Sequence, residues 1–217
     1  MRAMHVSRRR LVIASAAALG VPAFGQVTRP LAPMTDGPFY PSRAWRENWT
    51  DQDADLTRVT QSGGQVLVAR GEHLGLEAMV RDTKGRTIDG AEVEIWQCDV
   101  QRVYRHPNET REPGRIDAGF QGFGATRSDV SGLARLRTIK PVPYPGRTPH
   151  IHVKLRHAGF GELTSQLFLA GDAGNGRDFL WRSLNAEDRA GLAMQLQPAP
   201  ADSGLRWLVR HALIVPV

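Results

Sequence analysis

Residues 74–85, LGLEAMVRDTKG, are the stretch that decides the fold class. Every second residue from Leu74 to Val80 is apolar, and the segment DTKG at 82–85 has the composition of a turn. Successive side chains of a β-strand point to opposite faces of its sheet, so a period of two predicts a half-buried strand followed by a turn. The chain around this stretch is therefore expected to form β-sheet.

Similar alternating or strand-forming segments recur along the chain. They lie at residues 91–96, 133–139, 150–156, 163–169 and 207–215. A helix is expected at 186–196 with Asn185 as its N-cap, and residues 105–131 are expected to form a loop. The 22 glycines and 14 prolines also favour many turns over a helix bundle. The pattern predicts an all-β fold, a β-sandwich of mostly antiparallel short strands with long loops between some of them.

Composition excludes several classes of protein. The 217 residues suffice for one domain, and 41% of them are hydrophobic, which permits a sizeable core. Of the 28 basic residues, four are arginines that precede residue 26, which leaves 24 basic against 22 acidic residues. That balance gives no reason to expect nucleic-acid binding. Cys98 is the sole cysteine, so an intramolecular disulfide and a multi-cysteine metal site are both excluded.

The N-terminus has the features of an export signal. Residues 7–12 read SRRRLV, and an apolar run at 11–24 follows, which is too short to span a bilayer. The run ends in Ala23-Phe24-Gly25, a pattern that a signal peptidase cleaves. We therefore expect residues 1–25 to be a twin-arginine signal peptide, with the mature protein periplasmic or extracellular and no longer on a membrane. Residues 26–63 are expected to form an extended N-terminal arm and 64–217 the β-sandwich domain.

The segment His150-Ile151-His152 is a candidate metal-binding motif. Residues i and i+2 of a strand share one face, so both imidazoles can approach one metal ion while Ile151 faces the core. Tyr144 precedes the motif across a loop rich in proline, which restricts backbone rotation. Phenolate oxygen is a hard anionic donor suited to ferric iron. Two phenolates and two imidazoles would bind Fe(III) and leave a position open for a substrate.

Several ordered motifs give the mature chain a resemblance to the intradiol ring-cleavage dioxygenases, of the protocatechuate 3,4-dioxygenase kind. The matching segments are TDGPFYP at 35–41, GAEVEIWQCD at 90–99 with YRH at 104–106, FQGFG at 120–124, RTIKP at 137–141, YPGRTPHIH at 144–152 and LTSQLF at 163–168. The resemblance covers about residues 33–180. Their shared order makes the set far more specific than any one motif.

The resemblance implies a non-haem Fe(III) enzyme. The four metal ligands that it implies are Tyr104, Tyr144, His150 and His152, of which Tyr144 leaves the metal when substrate binds. It also implies that Arg147 is a catalytic cation beside the substrate, with Gln166 and Tyr40 as further substrate-binding residues. The expected reaction cleaves a catechol-type ring between its two hydroxylated carbons with O2 and yields a cis,cis-muconate-type dicarboxylate. The sequence is compatible with a homo-oligomer.

Two other interpretations stay open at this stage. A non-catalytic transthyretin-like β-sandwich binding module would share the strand spacing and need no iron. A periplasmic copper or zinc protein would use His150 and His152 alone. Colour separates these classes, because ferric tyrosinate absorbs visible light whereas zinc, Cu(I) and a metal-free sandwich do not.

Overall fold

The computed structural model describes residues 29–47, 49, 51–107 and 115–217. The predicted signal peptide, residues 1–25, lies outside them. The elements in chain order are α1 Arg43–Arg46, β1 Arg58–Thr60, β2 Val66–Val68, β3 His73–Asp82, β4 Glu92–Trp96, β5 Phe123–Arg127, β6 Leu133–Ile139, β7 His150–His157, β8 Gly161–Leu169, α2 Phe179–Ser183, α3 Ala186–Leu192, β9 Ala193–Met194, β10 Gln197–Pro198 and β11 Trp207–Val215. Across the described residues, no helix has the length and apolar character needed to cross a membrane.

Two sheets pack face to face around one apolar core. One has the strand order β10-β11-β3-β6 and the other the order β5-β4-β7-β8-β9, while β1 and β2 form a separate hairpin. Most neighbouring strands are antiparallel, whereas the pairs β3–β11 and β8–β9 are parallel. The predicted all-β sandwich of mostly antiparallel strands is confirmed.

The alternation of β7 divides its side chains between core and site. Ile151, Val153 and Leu155 are fully buried in the core between the sheets. Burial of an aliphatic side chain of this size contributes about 1.5–3 kcal/mol. Because the strand has a period of two, His150 and His152 face the opposite side of the sheet. The apolar residues thus fix the register that presents both histidines on one face.

The partners of β7 surround the histidines on that outer face. His152 pairs with Trp96 of β4 on one side and with Gln166 of β8 on the other. Two residues further along β7, on the same face, Lys154 lies between Glu94 and Thr164. The face therefore changes from an aromatic and amide environment near the histidines to a charged one beyond them.

The chain before β1 packs over this outer face. Met34 donates its backbone N–H to the Thr164 carbonyl at 2.8 Å. The Asp36 carboxylate accepts from Lys154 Nζ at 2.7 Å and from Thr164 Oγ1 at 2.8 Å. Gly37 then passes close to His152, because a Cβ atom at Gly37 would lie 3.5 Å from His152 Cε1. The domain boundary expected at residue 63 falls inside the hairpin of β1 and β2.

Two elements differ from the predictions. The prediction of a loop over 105–131 is wrong for β5, whose Gly124 resembled a turn residue. Gly124 instead allows close packing, since a Cβ atom there would lie 2.4 Å from the Asp53 carbonyl oxygen and 2.3 Å from Leu56 Cδ1. The predicted helix begins as expected after its Asn185 cap but ends at Leu192, because the next two residues pair with β8 as strand β9.

Candidate metal centre

Four aromatic side chains from three segments converge on one site. The ring centroids are 4.9 Å apart for His150 and His152, 5.6 Å for Tyr144 and His150, and 5.7 Å for Tyr104 and Tyr144. The Tyr104 hydroxyl lies 3.4 Å from His150 Nε2. The structure therefore brings together all four ligands implied by the sequence resemblance, and it does so across 49 positions of the chain from Tyr104 to His152.

A tight turn positions Tyr144 next to Arg147. The Arg147 backbone N–H donates to the Tyr144 carbonyl at 2.9 Å, and Gly146 has a φ of +82°. Pro145 at the second position and a left-handed glycine at the third are the signature of a type II β-turn. The turn holds the two side chains side by side, with Arg147 Nη1 3.5 Å from the Tyr144 hydroxyl.

The loop after β4 holds Tyr104 through hydrogen bonds to the Asp99 carboxylate and through ring stacking. The Asp99 carboxylate accepts backbone N–H bonds from Gln101 at 2.8 Å, from Val103 at 3.0 Å and from Asp117 at 2.6 Å. Phe39 of the N-terminal segment stacks on the Tyr104 ring at 4.7 Å. Tyr104 is only 3% exposed as a result. The first tyrosine is thus held rigidly, whereas Tyr144 lies on a half-buried loop.

The hydrogen bonds of His150 select its tautomer. His150 Nδ1 lies 2.7 Å from the Thr148 carbonyl oxygen, which can only accept, so Nδ1 carries the hydrogen. Nε2 is left with a lone pair directed at the cluster, the arrangement that metal-binding histidines use. Burial, and then the positive charge of Arg147, lowers the pKa of His150 to about 4. The imidazole is therefore neutral and able to bind a metal at neutral pH.

His152 lies in a similarly dry environment. Its ring stacks on Trp96 at 4.7 Å with an interplanar angle of 13°. Burial lowers the pKa of His152 well below its usual value, and the neighbouring His150 and Arg147 lower it further. The His152 Nδ1 atom is buried and has no hydrogen-bond partner among the described residues. A buried polar atom of this kind usually has a partner, so His152 has an unmet bonding capacity.

The donor set fits ferric iron. Burial raises the pKa of Tyr144 and raises that of Tyr104 well above the usual value, so without a cation both phenols stay protonated. A trivalent cation reverses this preference by stabilising two phenolates. In the described part of the chain no group of three or more histidine, cysteine, aspartate or glutamate side chains could hold a metal. A zinc or copper site built from those residue types would thus have only the two imidazoles.

The predicted substrate-binding residues lie in two places. Arg147 Nη2 donates to Gln166 Oε1 at 2.5 Å, so both adjoin the cluster. The Tyr40 hydroxyl instead donates to Glu94 at 2.8 Å and accepts from Arg156 at 3.1 Å. Its ring meets the cluster only through Trp96, at a centroid distance of 4.9 Å. The structure thus places the Tyr40 hydroxyl in a polar network beside the cluster.

Asp178 adjoins the site through a buried salt bridge, in which its Oδ2 accepts from Arg147 Nε at 2.8 Å. No local sequence pattern joins these two residues, which lie 31 positions apart. Trp96, which stacks on the His152 ring, is likewise joined to the site by a contact between distant segments. Its pairing with His152 across two strands is a tertiary contact that no local pattern encodes.

Comparison with known proteins gives a consistent set of similarities. A family model described as "Dioxygenase" matches residues 36–197. The protocatechuate 3,4-dioxygenase beta chain of Burkholderia cepacia is 31% identical over 67% of this chain and 64% of its own length. The catechol 1,2-dioxygenase of Pseudomonas sp. (strain EST1001) is 29% identical over 66% of this chain and 51% of its own. The similarity therefore spans between half and two thirds of these two relatives.

A solved structure extends the similarity over more of the chain. It is the dioxygenase domain of a fusion between a dioxygenase and a carbohydrate-binding protein from the cellulolytic bacterium Streptomyces sp. SirexAA-E. That domain is 25% identical, with a TM-score of 0.62, over 87% of this chain and 99% of its own. The catechol 1,2-dioxygenase of Acinetobacter sp. ADP1 has the same fold, with a TM-score of 0.60 at 20% identity.

Proposed function

The chain belongs to the intradiol dioxygenase family, and on that premise we propose that it is a non-haem Fe(III) enzyme that cleaves a catechol-type ring. The reaction opens the bond between the two hydroxylated carbons and places both atoms of O2 in a cis,cis-muconate-type dicarboxylate, so it needs no reductant. The observation that carries the proposal is the convergence of two tyrosines and two histidines on one buried site. The Tyr104 hydroxyl and His150 Nε2 within it are 3.4 Å apart.

The proposed iron ligands are Tyr104, Tyr144, His150 and His152. When bound, ferric iron would supply the Lewis acidity that lowers the pKa of catechol hydroxyls and prepares the ring for O2. The two histidines contribute neutral donors, because burial keeps the pKa of His150 at about 4. The two tyrosines contribute the negative charge that a trivalent cation requires.

The two tyrosines have different parts in the proposed mechanism. Tyr104 is 3% exposed and stacked against Phe39, so it stays in place. Tyr144 is half-buried on a turn, so we propose that it is the tyrosine that moves. We assign its Oη atom as the acceptor for one proton of the bound catechol. Arg147 Nη1, 3.5 Å from that oxygen, supplies a positive charge to stabilise the anionic character of the reacting ring.

The walls of the site keep water away from the chemistry. Trp96 covers His152 on one side, and Phe39 covers Tyr104 on another. In a site that excludes water, the interaction between Arg147 and developing negative charge is stronger than it would be in solvent.

The substrate class is tested by turnover with isotopic oxygen. The ferric-loaded mature protein is incubated with catechol, protocatechuate and hydroxyquinol in parallel, under ¹⁸O₂. We expect at least one ring to give a ring-opened diacid with two ¹⁸O atoms. We further propose that the substrates are extracellular catechols, and turnover of only one of the three rings, if that ring occurs only inside cells, would contradict this proposal. Absence of O2 uptake with all three after iron loading would instead support the transthyretin-like binding module.

We also propose that the protein is exported by the twin-arginine route, on the evidence of residues 7–25. The test replaces Arg8 and Arg9 by lysine and follows the protein by fractionation. The expected result is accumulation of the uncleaved form in the cytoplasm, whereas the unaltered chain appears outside it with a new N-terminus near Gln26. Export of the double variant at the normal level would contradict the route.

A further inference from the structure

Asp178 forms the most fully bonded carboxylate near the candidate metal centre. It precedes α2 and is 1% exposed. Its Oδ1 accepts from the backbone N–H groups of Leu180 at 2.9 Å and Trp181 at 3.0 Å, which makes it the N-cap of that helix. Its Oδ2 accepts from the Thr148 N–H at 3.0 Å and from Arg147 Nε at 2.8 Å. One oxygen thus serves the helix and the other serves the turn that carries Tyr144.

Each of the three guanidinium nitrogens of Arg147 lies next to a different side chain. Nε donates to Asp178, Nη2 donates to Gln166 at 2.5 Å, and Nη1 faces the Tyr144 hydroxyl at 3.5 Å. The planar guanidinium presents its donors in a fixed fork, so two held nitrogens determine where the third one points. The bond to Asp178 therefore sets the direction of Nη1.

Of these contacts, the one with Asp178 is a buried pair of opposite charges. The two side chains are 9% and 0% exposed. If Asp178 lost its charge, the neutral Gln166 could not replace it. The Phe179 ring lies 5.4 Å from the guanidinium carbon and is itself 63% exposed. Removal of one charge from a buried pair leaves the other without compensation, which favours a move toward solvent.

We propose that Asp178 is a positioning residue for ring cleavage, because it aims the Arg147 guanidinium at Tyr144 Oη, one of the four candidate donor atoms of the site. The proposal rests on the proposed function, since it gives Tyr144 and Arg147 parts in the reaction. Asp178 itself touches neither the cluster nor the reacting ring and acts through Arg147.

The variant that tests the proposal is Asp178→Asn. Asparagine is a good N-cap, so α2 keeps its cap, while the side-chain amide presents N–H groups to Arg147 and Thr148 in place of Oδ2. We expect kcat to fall about 10- to 100-fold because the cation is misplaced, with iron content unchanged. The matched control is Asn185→Ala, which removes the cap of α3 and touches no residue of the site. Its kcat should stay at the value of the unaltered enzyme.

A double-mutant cycle separates positioning from a structural role. If Asp178 acts through Arg147, Asp178→Asn should add no loss to Arg147→Ala, so the double variant should match the Arg147→Ala single variant in kcat. Losses that multiply would overturn the proposal, as would an unchanged kcat in Asp178→Asn or in Arg147→Ala.

A second measurement needs neither iron nor activity. In metal-free protein, the Arg147 Nε–H resonance is assigned by its loss in Arg147→Lys, and its hydrogen exchange is measured. We expect exchange to accelerate at least about tenfold in Asp178→Asn and not in Asn185→Ala, because only the former loses the charged acceptor. Equal protection in Asp178→Asn would overturn the positioning claim even in an active dioxygenase. Failure of the unaltered protein to cleave any catechol would count against the proposed function instead.

Discussion

At the scale of single residues, two donors of the candidate metal centre each owe their state to one identifiable neighbour. The Thr148 carbonyl oxygen fixes the tautomer of His150, and Phe39 confines Tyr104. Among the described residues no ring stacks on Tyr144 as Phe39 stacks on Tyr104, and Tyr144 lies on a turn. The difference between the two tyrosines is therefore a difference in confinement, and it underlies the proposal that Tyr144 is the donor that leaves the metal.

This difference leads to opposite expectations for two substitutions. Tyr144→Phe should keep most of its iron, because Tyr144 is the donor proposed to leave the metal when substrate binds, but lose turnover about 100-fold or more without the proton acceptor. His150→Ala should lose most of its iron, because a confined nitrogen donor is removed. The measurements are elemental iron analysis and O2 uptake with catechol. Full activity in Tyr144→Phe, or full iron content in His150→Ala, would refute these assignments.

At the scale of elements, period-two alternation predicts strands well where one face is buried, as in β6 and β11, whose observed bounds equal the predicted ones. The alternation failed to predict β5, because Gly124 interrupts it at a point where the Asp53 backbone passes close to the strand. The predicted helix was also longer than α3, because the two residues after Leu192 pair with β8 as strand β9. That pairing is a tertiary contact. The strand face that carries both histidines was predictable, whereas the contacts of Trp96 and Asp178 with the site were not, since they join segments distant in sequence.

Substitution of Gly124 tests the packing account of β5. In Gly124→Ala the new methyl would overlap the Asp53 carbonyl oxygen, a backbone atom that cannot move aside. We expect the free energy of unfolding to fall by about 1–3 kcal/mol. Gly176→Ala is the matched control, because nothing lies within 4 Å of a Cβ atom there. Chemical denaturation of both variants is the measurement, and equal stabilities would contradict the packing account.

His211 connects β11 to α3 and makes stability depend on pH. Its Nε2 donates to the Gly191 carbonyl at 2.9 Å, and burial lowers its pKa to about 4. Between pH 4 and 6.5 the unfolded chain binds more protons at this residue than the folded one. Its effect is therefore a loss of stability as pH falls through that window.

The matching variant is His211→Gln, which keeps a hydrogen-bond donor but does not titrate. Between pH 6.5 and 4, unaltered metal-free protein should lose about 3 kcal/mol more unfolding free energy than this variant. Denaturant unfolding across that pH range provides the measurement. Parallel pH profiles would show that the folded-state pKa of His211 is not lowered.

At the scale of the whole molecule, the segment before β1 completes the site from outside the sheets. The contacts of Asp36 with Lys154 and Thr164 hold it in place, and Lys154 is itself 3% exposed. Gly37 and Phe39 follow at once and cover the rings of the cluster. The motif at 35–41 indicated a segment near the pocket, but the ion pair that fixes it joins residues 118 positions apart and has no local signature.

Asp36→Asn should loosen this cover without unfolding the sandwich. The Lys154 ammonium would lose its nearest negative partner, so the backbone amides of residues 31–40 should exchange hydrogen at least about tenfold faster. Amides of β3 serve as the internal control and should be unaffected. Hydrogen exchange read by mass spectrometry gives the result, and unchanged protection of residues 31–40 would show that the ion pair does not hold the segment.

The central claim is that Tyr104, Tyr144, His150 and His152 bind ferric iron with a position open to a catechol. The most direct test is the visible absorption spectrum of the purified mature protein after ferric loading, before and after addition of catechol under nitrogen. The account predicts a broad visible band of ferric tyrosinate that shifts to longer wavelength when catechol binds. A colourless protein that retains no iron after loading would contradict it.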